Sequence, residues 1–243
     1  MKLINWQAFA VLAALIFASC TSQINGALRE GGSADLTIQA SLEPRMSTLI
    51  RSLNAMAGKA QDSLLLDGAS MSRSIAASPG VGSASLQNTG PAALEGRVVV
   101  SRVGDFLSSS AGTHFISYSE TSSGGRSHGR FLATLDRSNA PALIALLSAD
   151  AIDYLTALMA PVILEEYIPR DEYLSLVSSL YGRPIADEIS AAVIQATIDF
   201  PGPITSSSTS RTALSVSGSR AIFIIPLLDL LLLEAPLSWE VVW

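Results

Sequence analysis

"SQINGALREGGSADLTIQASLEP", Ser22 to Pro44, decides the fold. Ile24 and Leu28 precede "EGGS", and Leu36, Ile38, Ala40 and Leu42 alternate with polar residues after it. A period of two gives a strand with one buried face. Glu30-Gly31-Gly32 supplies the positive-φ turn that joins two such strands in a hairpin. Pro44 then ends the second arm and opens a helix. In "RMSTLIRSLNAMAG" the residues Met46, Leu49, Ile50, Leu53 and Met56 recur at helical spacing, with Gly58 as the C-cap.

The same alternation of signals continues. Asp67 starts a weaker helix in "SLLLDGASMSRSIAASPG", stopped by Pro79-Gly80. Two short strands flank Asn88-Thr89-Gly90-Pro91, the second running from Gly96 to Val103. The Ser, Ala and Gly content from Ala69 to Ala93 would also suit a linker, but apolar residues recur through it and place it inside the domain. "THFISYSETSSGGRSHGRFLATLD" is a second hairpin, with "TSSGGRSHG" as its loop. A helical block follows. Asn139 caps "APALIALLS", Asp150 caps "AIDYLTALMAPVI", and Asp171 caps "EYLSLVSSLYG". Pro184 opens "PIADEISAAVIQA" at its first position. Leu143, Leu146, Leu147, Ile152, Leu155, Leu158 and Met159 form one apolar face, which that spacing makes core rather than a cofactor site. "ATIDFPGPITSSSTS" returns to strand and loop. Ala221 to Leu233 is apolar but broken by Pro226 and Asp229, too short for a membrane span, and predicts two strands around a proline kink. No internal repeat is found. The fold class expected is α+β: a mixed, mostly antiparallel sheet with a central helical block, after an N-terminal signal peptide.

The chain opens differently. "AFAVLAALIFA", Ala8 to Ala18, follows a short start carrying Lys2, as in the apolar core of a secretory signal. Ser19 is small enough for the peptidase cleft, and Cys20, the sole cysteine, follows it. The stretch resembles the lipobox of bacterial lipoproteins, and Phe17 in place of leucine resembles the looser spirochaete pattern. The expectation is cleavage after Ser19 and lipidation of Cys20. Residues 1–19 would be the signal peptide, 20–33 a lipid-anchored N-terminal segment, and 34–243 a single α+β domain. The membrane is then a partner through acylated Cys20, and the location is the bacterial cell envelope. Thr21 rather than aspartate follows the cysteine, so the common inner-membrane retention signal is missing.

Composition narrows the chemistry. Hydrophobic residues make up 49% and charged residues 15%, with a net charge of −6. No run of lysine or arginine marks a nucleic-acid or anionic-lipid footprint, so no nucleic-acid partner is expected. One cysteine allows no intrachain disulfide, and with only His114 and His128 a Cys- or His-rich metal site is not expected; nor is any cofactor. Ser127-His128 lies in a glycine-rich loop without a nucleophile elbow. The pairs Glu165-Glu166, Asp171-Glu172 and Asp187-Glu188 are adjacent residues, which do not share a helix face, and suit solvated helix starts. "GGRSHGR", with Gly124, Gly125, Gly129, Arg126 and Arg130, could cradle a phosphate but lacks the P-loop lysine and reads as a plain hairpin loop. No catalytic residue is assigned, and the protein is expected not to be an enzyme.

Two stretches, "INGALREGGSADLTIQASL" and "IDFPGPITSSSTSRTALSVSGSRAIFIIPL", resemble the LppM-type lipoprotein domain. The resemblance covers both ends of the mature chain and leaves Asn139 to Ala196 unexplained. The polar run Ser206 to Ser210 departs from the shorter turn expected there. The resemblance implies an α+β envelope domain with glycolipid or phospholipid contact, and carries over no catalytic residue. The leading reading is a lipid-anchored envelope protein binding a lipid or another envelope component, in an apolar cavity between the sheet and the helices of Asn139 to Ala196. The alternative is a structural lipoprotein without ligand, and a third reading is an envelope hydrolase.

Overall fold

The computed structural model describes residues 21–56, 64–108, 116–123, 126–140, 158–164 and 166–243. β1 (Thr21–Arg29) and β2 (Ser33–Ser41) form the expected hairpin, with Ile24 opposite Ile38 and Leu28 opposite Ala34. Gly31 and Gly32 turn it at φ of 84° and 74°. Even-numbered residues of both strands face the core, and odd-numbered ones are mostly polar and face out.

β1 is no tether. It lies mid-sheet, antiparallel to β2 on one side and parallel to β7 (Val193–Asp199) on the other. A division at residue 33/34 therefore cuts through a hairpin, and the folded domain includes Thr21 onward. The physical reason is that Ile24 is buried and the β1 backbone is paired along both edges, which a solvated segment would not provide.

α1 (Pro44–Met56) begins at the proline, as expected, and Gly58 lies outside the described residues. α2 (Gly68–Ala76) is capped by Asp67, whose carboxylate accepts from the Ser70 backbone N–H at 3.0 Å. β3 (Val81–Gly90) and β4 (Ala93–Val100) follow, then the short α3 (Val103–Ser108). β5 (Ile116–Ser123) and β6 (Arg126–Leu135) form the second hairpin. Here the expected loop over 121–129 is mostly strand. Thr121 pairs with His128 and Ser123 with Arg126, because small polar residues fit a half-exposed ladder as readily as a loop.

In the helical block, 141–157 lies outside the described residues, and with it Asp150 and most of the leucine face; Leu158 and Met159 are described, and Met159 is fully buried. α4 (Ala160–Ile163) is a single turn. α5 (Arg170–Tyr181) takes Pro169 as N-cap, so Asp171 sits in its first turn rather than capping it. α6 (Arg183–Ala191) carries its proline at the start. It stops before the expected Ala196, because Ile194, Ala196 and Ile198 alternate into the core as part of β7.

β8 (Ser206–Thr209), expected as loop, is a strand, and β9 (Ala213–Ser217) and β10 (Arg220–Pro226) follow. The expected second strand after Pro226 is instead a helix, α7 (Leu227–Leu232), before β11 (Leu237–Val242). Its five leucines are all buried, so no polar face was available to mark it as a helix. Arg137 secures its C-terminal end, donating to the Leu232 and Leu233 carbonyls at 3.0 and 3.1 Å.

The strands make a seven-stranded sheet, β3-β4-β2-β1-β7-β10-β9, and a four-stranded one, β5-β6-β11-β8. Among the described strands the one parallel pair, β1 with β7, makes the large sheet mixed, and the pairs of the small sheet are antiparallel. The class is α+β. No described helix is long and apolar enough to cross a membrane.

Candidate functional site

Where the two sheets face each other they do not close completely. A cavity of about 260 Å³, partly open to solvent, lies between them with a wholly apolar surface. The large sheet supplies Ile24, Leu28, Leu36 and Ile198, and the small sheet supplies Tyr118, Phe131, Ala133 and Trp239. α3 covers one side with Val103, Phe106 and Leu107. The inward positions are where the strand period places apolar residues, but several are too small to meet across the gap. Ala27, Ala34, Ala133 and Ala196 all line it. Gly26 sits between Leu36 and Ile198 with no side chain of its own; a Cβ there would lie 2.8 Å from each.

The cavity was expected between sheet and helices. It lies instead between the sheets, and of the described residues between Asn139 and Ala196 only Ala196 is on its wall. The described helices α5 and α6 turn large residues inward: Tyr173 and Val177 of α5 and Ile185 and Ile189 of α6 are buried in the core.

Behind Tyr118, one of the lining residues, lies a small polar cluster. The Tyr118 hydroxyl donates to Glu120 Oε2 at 2.6 Å, and Ser127 donates to Glu120 Oε1 at 2.5 Å. The Trp243 indole N–H reaches Ser127 Oγ at 3.4 Å. Burial, and next the Glu120 carboxylate, push the Tyr118 phenol up, so it stays a protonated donor. Trp243 packs on Phe200 at 4.9 Å and Tyr118 at 5.9 Å between ring centroids. The indole N–H of Trp239, on the cavity wall, is buried and has no partner among the described residues.

Gly129 belongs to this packing. A Cβ there would fall 2.1 Å from Trp243 Cζ2, and the two residues exchange backbone hydrogen bonds of 3.0 and 3.1 Å. Gly129→Ala should therefore displace a buried indole and cost about 2–4 kcal/mol, at or above the usual range for overpacking. A urea melt followed by tryptophan emission should show a lower midpoint and a red-shifted folded baseline. An unchanged midpoint would refute this packing.

The other candidate residues separate. Ser19, Cys20, His114, Gly124, Gly125 and Glu165 lie outside the described residues. Ser127 is buried while its neighbour His128 is exposed on the opposite strand face, so the two form no pair. Arg130 is bound to Glu240 at 2.6 Å rather than directed at an anion site. Asp171 and Glu172 are solvated in the first turn of α5, and Glu166 is exposed. Asp187 faces Arg183 at 3.9 Å. Glu188 accepts from the Met46 backbone N–H at 3.0 Å, joining α6 to the start of α1.

No family model and no curated protein matches the chain. Among solved structures, the NMR structure of the folded domain of the Mycobacterium tuberculosis LppM protein is similar, with a TM-score of 0.35 and 10% identity. The match covers 91% of this chain and 88% of that one. A likeness this distant transfers no residue's role.

Proposed function

We propose that this is a non-enzymatic bacterial lipoprotein, anchored in the cell envelope through acylated Cys20, that holds a single lipid chain between its two sheets. The observation supporting it is the apolar cavity of about 260 Å³. Its volume lies below the roughly 300–1,000 Å³ of sites for drug-sized ligands. A methylene is close in size to a water molecule, whose share of liquid is about 30 Å³, so the space suits roughly nine methylenes. At about 0.8 kcal/mol each these contribute about 7 kcal/mol before ordering costs, consistent with micromolar binding at best. Among the described residues the wall carries no charged group to receive a carboxylate or phosphate, so the ligand's head stays at the opening.

Trp239 makes the test direct. A fatty acid brominated along its chain should quench tryptophan emission and saturate at one molecule per chain. Ala133→Phe, which fills the wall beside Trp239, should weaken that binding about tenfold or more while the chain still melts cooperatively. No saturable quenching of the folded native chain would overturn the reading and leave a lipoprotein without ligand.

A further inference from the structure

The two ends of the large sheet differ in charge. Strand register lines up Gly90, Ala93, Ser41, Thr21, Val193 and Pro226 in one row across β3, β4, β2, β1, β7 and β10. None of the six is charged. The opposite end of the same strands carries Arg29, Asp35, Asp199 and Arg220, with Glu30 in the adjoining turn. Along β1 the two ends are roughly 26 Å apart, for a rise of about 3.3 Å per residue.

The uncharged end also exposes apolar side chains. Val193 is 40% exposed and Leu64 is 47% exposed. Leu64 belongs to this end because the Leu65 backbone N–H donates to the Pro91 carbonyl at 2.9 Å, in the turn between β3 and β4. Pro91 itself is exposed. Exposed apolar residues scattered singly need no explanation. Here they share one end of the sheet with Thr21, and Cys20 is one peptide bond further, about 3.8 Å between Cα atoms.

Charged residues flank the row without entering it. Glu43 is half-buried, and Arg45 faces Glu188 at 4.0 Å. Glu95 is exposed on β4, two residues along the strand from Ala93 and so about 7 Å from the row. An interfacial contact buries apolar groups roughly 5–10 Å into the boundary between head groups and acyl chains. Glu95 then stays among the head groups while Leu64, Pro91 and Val193 reach that boundary.

We infer that the strand ends around Thr21, with Leu64, Pro91 and Val193 as the contacting side chains, rest on the surface of the lipid bilayer that holds the acyl chains of Cys20. The inference rests on the lipidation of Cys20 proposed above and adds an orientation: the large sheet stands with its charged end away from the membrane. The reverse orientation would press Arg29 and Asp35 toward the bilayer and lift Thr21 roughly 26 Å from it, beyond the reach of one residue. An uncharged contact needs no anionic lipid.

Position-specific labelling of the acylated full chain, purified from the membranes of an expressing bacterium, tests it. Acylation consumes the Cys20 thiol, so an introduced cysteine is the sole free thiol. Leu64→Cys, Val193→Cys and, at the charged end, Ser217→Cys take an environment-sensitive fluorophore at exposed positions. In phosphatidylcholine vesicles carrying a spin label near the head group, quenching at positions 64 and 193 should exceed that at 217 about fivefold or more. A fluorophore at Pro91→Cys should lose most of its quenching when Leu64→Glu and Val193→Glu are added, with acylation and melting temperature unchanged. That loss separates a seated contact from mere closeness to the anchor. Equal quenching at 64, 193 and 217, or quenching at 91 that the two glutamates leave intact, overturns the inference while the acyl anchor stands. A free Cys20 thiol in the intact mass of the membrane-purified chain overturns the anchor reading and this inference with it.

Discussion

A chain ending at Gly218 should not fold. The lost segment contains β10, α7 and β11, and it belongs to both sheets at once. β10 is the neighbour of β7 and the partner of β9, and β11 joins β6 to β8. Without them β9 and β8 have no strand to pair with, and β7 loses one edge. The segment also supplies about a third of the buried apolar residues described, among them seven leucines, Phe223, Trp239 and Trp243. At roughly 2 kcal/mol for each large side chain the loss is on the order of 20 kcal/mol. That exceeds the typical 5–15 kcal/mol stability of a whole domain. Far-ultraviolet circular dichroism during heating should show no cooperative transition. A cooperative melt near the native temperature would mean that the C-terminal run is not part of the core.

Cys20→Ser should abolish lipid attachment altogether. The motivation is chemical: an 11-residue apolar run ends at small residues and then at the sole thiol, the group that forms the thioether. Each buried methylene contributes roughly 0.8 kcal/mol, and stable anchoring takes more than one acyl chain. Metabolic labelling with a palmitate analogue should mark the native chain and leave the variant blank. Equal labelling of both would end the lipoprotein reading. The structure adds a consequence for geometry. Thr21, the residue after the cysteine, is already in β1 and pairs with Ser41 and Val193. An acylated Cys20 would therefore hold the central strand of the large sheet at the bilayer surface without an intervening linker.

The sequence by itself determined the local elements whose signals are local. The Gly31-Gly32 hairpin, the helix opened by Pro44, the Asp67 cap and the Pro184 helix start depend on the conformational preferences of a few residues. Alternation also chose correctly which face of β1 and β2 is buried. It failed where pattern is degenerate. "LLDLLL" is apolar in any register, so neither period two nor period 3.6 marks it, and only its burial on all sides makes it helix. "SSST" and the polar arms of the second hairpin look like loop, and partners more than twenty residues away make β8 a strand.

The candidate sites depended entirely on tertiary structure. In sequence Gly129 belongs to a glycine-rich stretch, yet its lack of a side chain admits the Trp243 indole, 114 residues later in the chain. Ala133 and Ala196 are unremarkable in sequence, and they form a cavity only because two sheets bring small residues opposite one another. A strand's own residues fix its period, but which strands become neighbours, and in what register, is set by burial summed over the whole core.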